Sequence, residues 1–306
     1  MKSYAILNQN NLFLSIEELK AIIDSDEIEY YHGVALFNKE SNNVAKRSSL
    51  IKYSGRVIVI SHDVNEIIKN IKGECFSVDP TVITKEYKSE FLSIYERITN
   101  NIKLSKKCKK MDLIFTEGLI IAGLRVEEKD NESLFKHSKK PYSQSGTLSP
   151  DIGRLMVNLS KSRKMILDPF VGTGTILIEA KWLGLNCFGL DVDSKMIEKS
   201  LINLRYFGYE CDILRGDATS LPFNNVEAIV TDPPYGRSLS VKEGINNLYE
   251  GFFYSASNIT RTLVFTTDSK LDWRDKLKEV GFNDISIHFI YEHKSLSRAI
   301  YVVRKK

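Results

Sequence analysis

Six consecutive residues, Thr231-Asp232-Pro233-Pro234-Tyr235-Gly236, carry the strongest chemical signal in this 306-residue chain. They follow an apolar run, Val226–Thr231, that reads as a strand. A carboxylate, two prolines and an aromatic ring suit one task, the handling of an amino group on a nucleobase. Such an amine is a poor nucleophile because its lone pair is delocalised into the ring. Two acceptors at its two N–H bonds, the Asp232 carboxylate and the Pro233 main-chain carbonyl, favour a pyramidal nitrogen and direct the lone pair at a methyl donor. Pro233 and Pro234 fix φ and remove competing N–H donors, while Tyr235 offers a face on which a base can stack. No strong base is required, because the nitrogen becomes acidic once methylated. Arg237 is placed either for a phosphate contact or as an exposed structural residue. An isolated Asp-Pro-Pro is most often a turn, so the motif gains its meaning from its neighbours.

The first neighbour is the loop Asp168-Pro-Phe-Val-Gly-Thr-Gly-Thr175, lying between a strand and a helix. Gly172 and Gly174 permit a tight turn and close approach of a ligand, and the helix beyond offers unpaired N–H groups. The third glycine of the dinucleotide fingerprint is replaced by Leu177. Asp168, ahead of the loop, can accept from the ammonium of a methionine moiety but would repel a pyrophosphate, which favours S-adenosylmethionine over NAD. A second strand ends in Gly189-Leu190-Asp191-Val192-Asp193. A carboxylate about 20 residues past the glycines is placed to hold ribose hydroxyls, so Asp191 takes that role and Asp193 caps the next helix. A third strand leads to Gly216-Asp217-Ala218, where Asp217 can accept from an adenine amino group. Singly, each acid serves equally well as a cap. Three at consecutive strand ends on one crevice edge point to a cofactor site, which Phe170, Thr173, Thr175, Val192 and Ala218 complete.

Elements that would position these residues alternate regularly from Asp151 onward. Helices are expected over 151–159, 175–183, 194–207, 244–257 and 273–280. Strands are expected over 164–168, 186–191, from 211, 226–231 and 262–266, with two closing strands at 285–291 and 299–303. This alternation implies a mostly parallel sheet with helices on both faces. The first half reads as an α+β module. Ser15-Ile-Glu-Glu18 has capping-box spacing, Asp63 and Glu66 open a short helix, and 88–104 is expected to be a longer one. Strands are expected at 56–60, 76–83, 112–116 and 119–126. The segment 127–150, charged and then rich in Ser, Pro and Gly, reads as an interdomain linker. Domains are thus expected at 1–126 and 151–306.

Hydrophobic residues make up 42% of the chain, and 43 Lys and Arg oppose 39 acids for a net charge of +4. A nucleic-acid surface must then be a local patch rather than a global field. The run Lys103, Lys106, Lys107, Lys109 and Lys110 is one such patch, or else a solvated loop. No signal-peptide pattern and no apolar run near ~18 residues is present, so a soluble cytoplasmic protein with no membrane partner is expected. Cys75, Cys108, Cys187 and Cys211 are widely spaced, with no Cys-x-x-Cys pair. Reduced thiols are expected, without disulfides or a metal site.

DPFVGTGTILIEA, GLDVD and TDPPYGRS together closely resemble the archaeal THUMP-containing tRNA (guanine-N2-)-methyltransferases, which modify the guanosine at position ten. PYSQSGTLSPDIGRLMVNLS at 141–160 resembles the family's lead into its catalytic domain, implying that Gly146 to Ser149 line the cofactor site. HKSLSRAIYVVRKK at 293–306 resembles its terminal hairpin. Similarity is strong over 141–306 and diffuse over 1–126. The resemblance implies an α/β, Rossmann-like class I methyltransferase domain preceded by an α+β ferredoxin-like/THUMP RNA-binding module. It assigns Asp168, Gly172, Gly174, Asp191 and Asp217 to the cofactor and Asp232 to Tyr235 to catalysis. Val171 stands where the family commonly has cysteine. His293, Lys294 and Arg298 form a second basic group. The implied partners are tRNA and, in some relatives, a small zinc-containing activator subunit; a monomeric catalytic chain is expected. Two other readings stay open: an amino-methyltransferase of ribosomal RNA guanine or DNA adenine, and a non-catalytic RNA-binding subunit.

Overall fold

The computed structural model describes residues 2–144, 146–235, 242–293 and 296–305, excluding the side chains of 242, 243, 292, 293 and 296. Gly236, Arg237 and Lys294 therefore lie outside the described residues, as does the side chain of His293. The chain divides into two compact units, Met1–Asp130 and Asn131–Lys306.

The first unit runs β1 (Ser3–Leu7), α1 (Leu12–Ile23), β2 (Ile28–Tyr31), β3 (Val34–Phe37), β4 (Ile51–Ser61), α2 (Val64–Ile71), β5 (Cys75–Val82), α3 (Phe91–Thr99), β6 (Lys103–Leu104), β7 (Lys109–Thr116) and β8 (Leu119–Glu128). Its strands form one sheet in the order β2-β3-β1-β4-β8-β7-β5-β6. Side chains alternate across a strand, so Ala5 and Leu7 of β1 pack with Leu19 and Ile23 of α1. Tyr4 and Ile6 pack with Val34, Leu36, Ile114 and Ile121 in a separate cluster. Strands β1 to β3 were not legible from the sequence, because β1 and β3 are short buried runs without a distinctive period and β2 is only four residues long.

Several expectations are corrected here. Ser15 lies inside α1 and bonds back to the Asn11 carbonyl at 2.9 Å. Glu18 is fully buried and accepts from Ser48 Oγ at 2.5 Å and from the Ser49 and Leu50 amides at 2.7 and 2.8 Å. The pair is thus no capping box: Glu18 satisfies a turn that would otherwise bury orphan donors. Asp63 does cap α2, accepting from the Asn65 amide at 2.8 Å. The helix expected over 88–104 is confined to Phe91–Thr99.

All four cysteines are paired, Cys75 with Cys108 and Cys187 with Cys211, at Cα separations of 5.7 and 5.3 Å. This overturns the expectation of free thiols. The cause is register between parallel neighbours: Phe76 opposes Lys109, and Phe188 opposes Asp212. Each cysteine is one residue earlier and so faces its partner, within the reach of a disulfide.

The second unit runs α4 (Asn131–Ser138), α5 (Pro150–Leu159), β9 (Met165–Asp168), α6 (Thr175–Trp182), β10 (Asn186–Asp191), α7 (Ser194–Tyr206), β11 (Asp212–Arg215), β12 (Ala228–Thr231), α8 (Lys242–Ile259), β13 (Thr262–Asp268), α9 (Arg274–Glu279), β14 (Asp284–His293) and β15 (Leu296–Arg304). The sheet order is β11-β10-β9-β12-β13-β15-β14. Pairing is parallel from β11 to β13 and antiparallel at β15 and β14. The order reverses between β9 and β12, and open α/β sheets bind ligands at that switch point, beyond the carboxyl ends of the strands.

The expected linker is folded in part. Glu127 and Glu128 finish β8, and 131–138 form α4, which packs on α5. Its anchor is Glu179 of α6, 1% exposed, which meets His137 Nδ1 at 2.5 Å and Arg154 Nε at 2.6 Å. Arg154 also stacks on Trp182 at 3.6 Å. Burial holds the His137 imidazole below its ordinary pKa, with Glu179 opposing. A proline-free, amphipathic Asn131–Ser138 was masked in the sequence by its charge.

Candidate active site

Asp168 ends β9 at 1% exposure, directly at the switch point. Its Oδ1 accepts from the Phe170 amide at 3.1 Å and from the Thr231 hydroxyl of β12 at 2.6 Å. Burial pushes the carboxyl up to about 7, the two donors oppose that rise, and the nearby Asp191 and Asp232 add to it. A cation brought into the cleft would reverse the balance.

Gly172 and Gly174 hold φ of 51° and 82° in the loop that follows. At Gly174 a side chain is also excluded by space, since a Cβ would lie 2.7 Å from Ser200 Oγ. The loop is fastened to β10: the Gly172 amide donates to Asp191 Oδ2 at 2.9 Å and the Val171 amide to the Leu190 carbonyl at 3.1 Å. Asp191 Oδ1 accepts from the Asp193 amide at 3.0 Å, and Asp193 caps α7 through the Lys195 amide at 2.9 Å. Each Asp191 oxygen retains a lone pair for a further donor.

A cleft beside the loop is lined by Asp168, Phe170 to Thr173, Thr175, Ile176 and Asp232, and on its other wall by Gln144, Gly146, Thr147 and Leu148. Three clamps hold that wall. Asn203 of α7 accepts from the Tyr142 amide and donates to the Tyr142 and Thr173 carbonyls, each at 2.9 Å. Lys140, buried, donates to Thr175 Oγ1, and burial lowers its ammonium to about 8. Arg298 of β15 donates to the Gly146 carbonyl at 3.2 Å. Ser149 caps α5 through the Ile152 amide at 3.4 Å rather than lining the cleft.

Asp232 accepts from the Thr266 hydroxyl of β13 and from Arg298 Nη1, whose distances to the two carboxylate oxygens are 3.3 and 3.5 Å. Burial raises its pKa, against the pull of Arg298 and Thr266. Pro233 is buried, and Pro234 and Tyr235 are half-buried. The Arg298 guanidinium lies 5.4 Å from the Tyr235 ring centroid. Arg298 is only 3% exposed, which corrects its placement in a basic surface group: antiparallel register turns it inward.

The structure therefore gathers Asp168, Phe170, Gly172, Thr173, Thr175 and Asp232 around one cleft, with Gly174 behind the loop and Asp191 beneath it. Val192 lies just past β10 at 61% exposure. Asp217 is exposed and accepts from the Thr219 amide and hydroxyl at 2.9 and 2.8 Å. Ala218 belongs to the buried core under α8. Thr266, Lys140 and Asn203 were missed, and Arg298 was named only as a basic residue of the terminal hairpin. Each acts through an element distant in sequence, and no local pattern marks it.

The arrangement fits S-adenosylmethionine. A buried carboxylate would meet its ammonium, the loop approaches closely without side chains, and the Thr173 hydroxyl is buried without a hydrogen-bond partner. Among the described residues no group of three or more acids, histidines or cysteines is arranged to hold a metal.

A family model described as RMKL-like, methyltransferase domain, matches residues 137–294. The chain belongs to this RMKL-like methyltransferase family. A second model, described as DNA methylase, matches residues 24–202, which includes the glycine loop and stops short of Asp232. Among curated relatives, the tRNA (guanine(10)-N2)-dimethyltransferase of Pyrococcus abyssi is 36% identical over 62% of this chain and 58% of its own length. The chain thus spans under two thirds of that relative. The Methanocaldococcus jannaschii protein of the same name is 28% identical over 98% of this chain and 99% of its own. TrmN from Thermus thermophilus shares the fold, with a TM-score of 0.54, 19% identity and full coverage of both chains. The RMKL-like match begins inside α4, in keeping with that helix belonging to the catalytic unit.

Proposed function

We propose that this protein transfers one or two methyl groups from S-adenosylmethionine to the exocyclic N2 of guanosine at position 10 of tRNA, in line with its archaeal relatives, which are named tRNA (guanine(10)-N2)-dimethyltransferases. The observation that carries the proposal is Asp232, held by Thr266 and Arg298 in the same cleft as Asp168 and the glycine loop. S-adenosylmethionine, when bound, supplies an electrophilic methyl group on a sulfonium. Asp168 would receive its ammonium, the 170–175 backbone its carboxylate end, Asp191 the ribose hydroxyls, and Asp217 with Val192 and Ala218 the adenine.

The protein's own residues then act on the guanine. The Asp232 carboxylate and the Pro233 carbonyl accept the two N2–H bonds, which frees the nitrogen lone pair from conjugation. Tyr235 stacks on the base. As nitrogen gains its new bond, the proton it sheds passes to Asp232. Positioning and electrostatics account for the rate, not a strong base.

The front unit fits an RNA-binding role. The strand order β2-β3-β1-β4 within residues 2–61 supports a ferredoxin-like β-α-β-β-α-β unit, with turns at 42–47 where the second helix would stand. A THUMP-like module would follow to about residue 126. Lys103, Lys106, Lys107 and Lys109 are exposed there. Lys110 instead pairs with Glu128 at 2.9 Å and Asp79 at 3.4 Å, so it leaves the expected patch. We place the enzyme in the cytoplasm as a monomeric catalytic chain, with a small zinc-containing activator as an open partner.

Incubation with labelled S-adenosylmethionine and unmodified tRNA, followed by nucleoside mass spectrometry, tests the reading. N2-methyl- or N2,N2-dimethylguanosine at position 10 is expected. The DNA methylase match favours one alternative, an amino group on DNA. Labelling of DNA adenine with none on tRNA would establish that alternative.

A further inference from the structure

We infer that Arg298 is the positioning residue of the reaction centre, fixing Asp232 as the acceptor of the substrate amino group and tying it to the cofactor wall at Gly146. The inference rests on the amino-methyltransferase reading above. Arg298 comes from β15, where it opposes Asp268 of β13 and Ile290 of β14. One fork reaches two places: Nη1 contacts Asp232 at 3.3 and 3.5 Å, and Nη2 donates to the Gly146 carbonyl at 3.2 Å. Its carbon also lies 5.4 Å from the Tyr235 ring centroid. The guanidinium thus bonds the proposed acceptor and the wall of the cleft and lies near the proposed stacking ring. A planar fork can hold donors in two fixed directions, which a lysine ammonium does not reproduce.

The chemistry needs such a group. A carboxylic acid that carries its proton has lost acceptor capacity for substrate N–H bonds. Burial pushes Asp232 toward that state, and Arg298 and Thr266 hold it back. Asp232 faces Asp168 from β9, the Tyr249 phenol from α8, the Thr266 hydroxyl from β13 and Arg298 from β15. Of these, Arg298 alone is cationic. Thr266 occupies Oδ1, while Oδ2 receives the longer Arg298 contact and keeps a lone pair for substrate.

The test compares Arg298→Met, Arg298→Gln and Arg298→Lys in the full chain. Removing the cation should lower kcat by about 100-fold and move the acid limb of the kcat–pH profile up by ~1–3 units. The KM for tRNA should stay within about threefold, since binding and positioning are separable. Arg298→Lys should return the acid limb toward its wild-type place and recover about tenfold of the loss. Arg298→Gln keeps a donor without charge and should behave like Arg298→Met. An unmoved acid limb, or a lysine variant no better than methionine, overturns the assignment. Carboxyl carbon-13 NMR of aspartate-labelled protein, with Asp232 assigned through Asp232→Asn, gives the same answer without substrate. Its titration midpoint should rise in Arg298→Met, and an unchanged midpoint refutes the role. Wild-type protein that methylates no guanosine defeats the functional reading alone, because this midpoint still decides for or against Arg298.

Discussion

The Thr231 hydroxyl donates to Asp168 Oδ1 at 2.6 Å, joining the carboxyl ends of β12 and β9 at the point where the sheet order reverses. This bond links the cofactor side of the cleft to the residue immediately before Asp232. Burial nevertheless holds the Asp168 carboxyl up at about 7, against the pull of this bond, in a place where a cation is proposed to bind.

Cofactor affinity should therefore depend on pH. Below about 7 the Asp168 carboxyl of the free protein is protonated and must release its proton to meet the ammonium. Affinity for S-adenosylhomocysteine should weaken by up to about tenfold per pH unit below that point and level off above it. Calorimetry across pH 5.5–8.5 in buffers of differing ionisation heat checks both the slope and the proton release. In the free protein the sign for folding is opposite. A raised carboxyl pKa contributes stability at low pH that is lost as pH rises toward 7, so Asp168→Asn should stabilise the unliganded protein at pH 8 while abolishing tight cofactor binding.

Gly174→Ala should cost about 1–3 kcal/mol from its left-handed backbone alone, with the Ser200 collision adding to it. Gly172 differs, because space exists around it and only φ resists a side chain. Paired with Ser200→Gly, the Gly174→Ala variant should regain the collision part and not the backbone part. Urea unfolding of the two variants separates these contributions.

Asp232→Asn should reduce methyl transfer by about 10²-fold or more while S-adenosylhomocysteine affinity changes little. The amide keeps one acceptor and loses the charge and the proton sink. Single-turnover rates beside a binding isotherm distinguish the two effects, and a parallel loss of both would remove Asp232 from the chemistry.

Glu179→Ala should destabilise the second unit by about 3–5 kcal/mol, because it strands Arg154 without its buried partner. Trp182 and Trp273 both belong to that unit, so tryptophan fluorescence during urea unfolding reports it directly. Glu179→Gln keeps acceptor geometry for one neighbour and should cost less.

Lys106→Ala and Lys107→Ala should each lower the salt dependence of tRNA binding by about one unit of slope. Lys110→Ala should leave that slope unchanged, since its ammonium already serves Glu128 and Asp79. Equal slopes for all three would return Lys110 to the RNA surface.

The residues legible from sequence were those whose meaning is local. Asp168, Gly172, Gly174 and Asp191 follow strands and precede helices, so strand-end chemistry named them before any coordinates. Asp193 was separated from Asp191 by cap position alone, and its bond to the Lys195 amide agrees. Register is what sequence left hidden. Arg298 points inward only because β15 runs antiparallel between β13 and β14, and a basic stretch read without that pairing passes for surface. The same blindness hid the cysteine pairs, which require knowing that Phe188 faces Asp212. Glu18 shows the converse error, a local pattern with the right spacing whose carboxylate serves a turn 30 residues away.

Strand β15 follows β14 in the chain, yet it lies between β14 and β13 in the sheet. Among the described residues β14 is bonded to the sheet through β15 alone, and the two form a local antiparallel pair that must dock on β13 from about 30 residues away. An intermediate lacking β15 can close the glycine loop on β10 and still has no cation beside Asp232. Competence to hold a cofactor would then mature earlier than competence to use it, and a chaperone or denaturant that delays the final strand would accumulate a binding-proficient, inactive species.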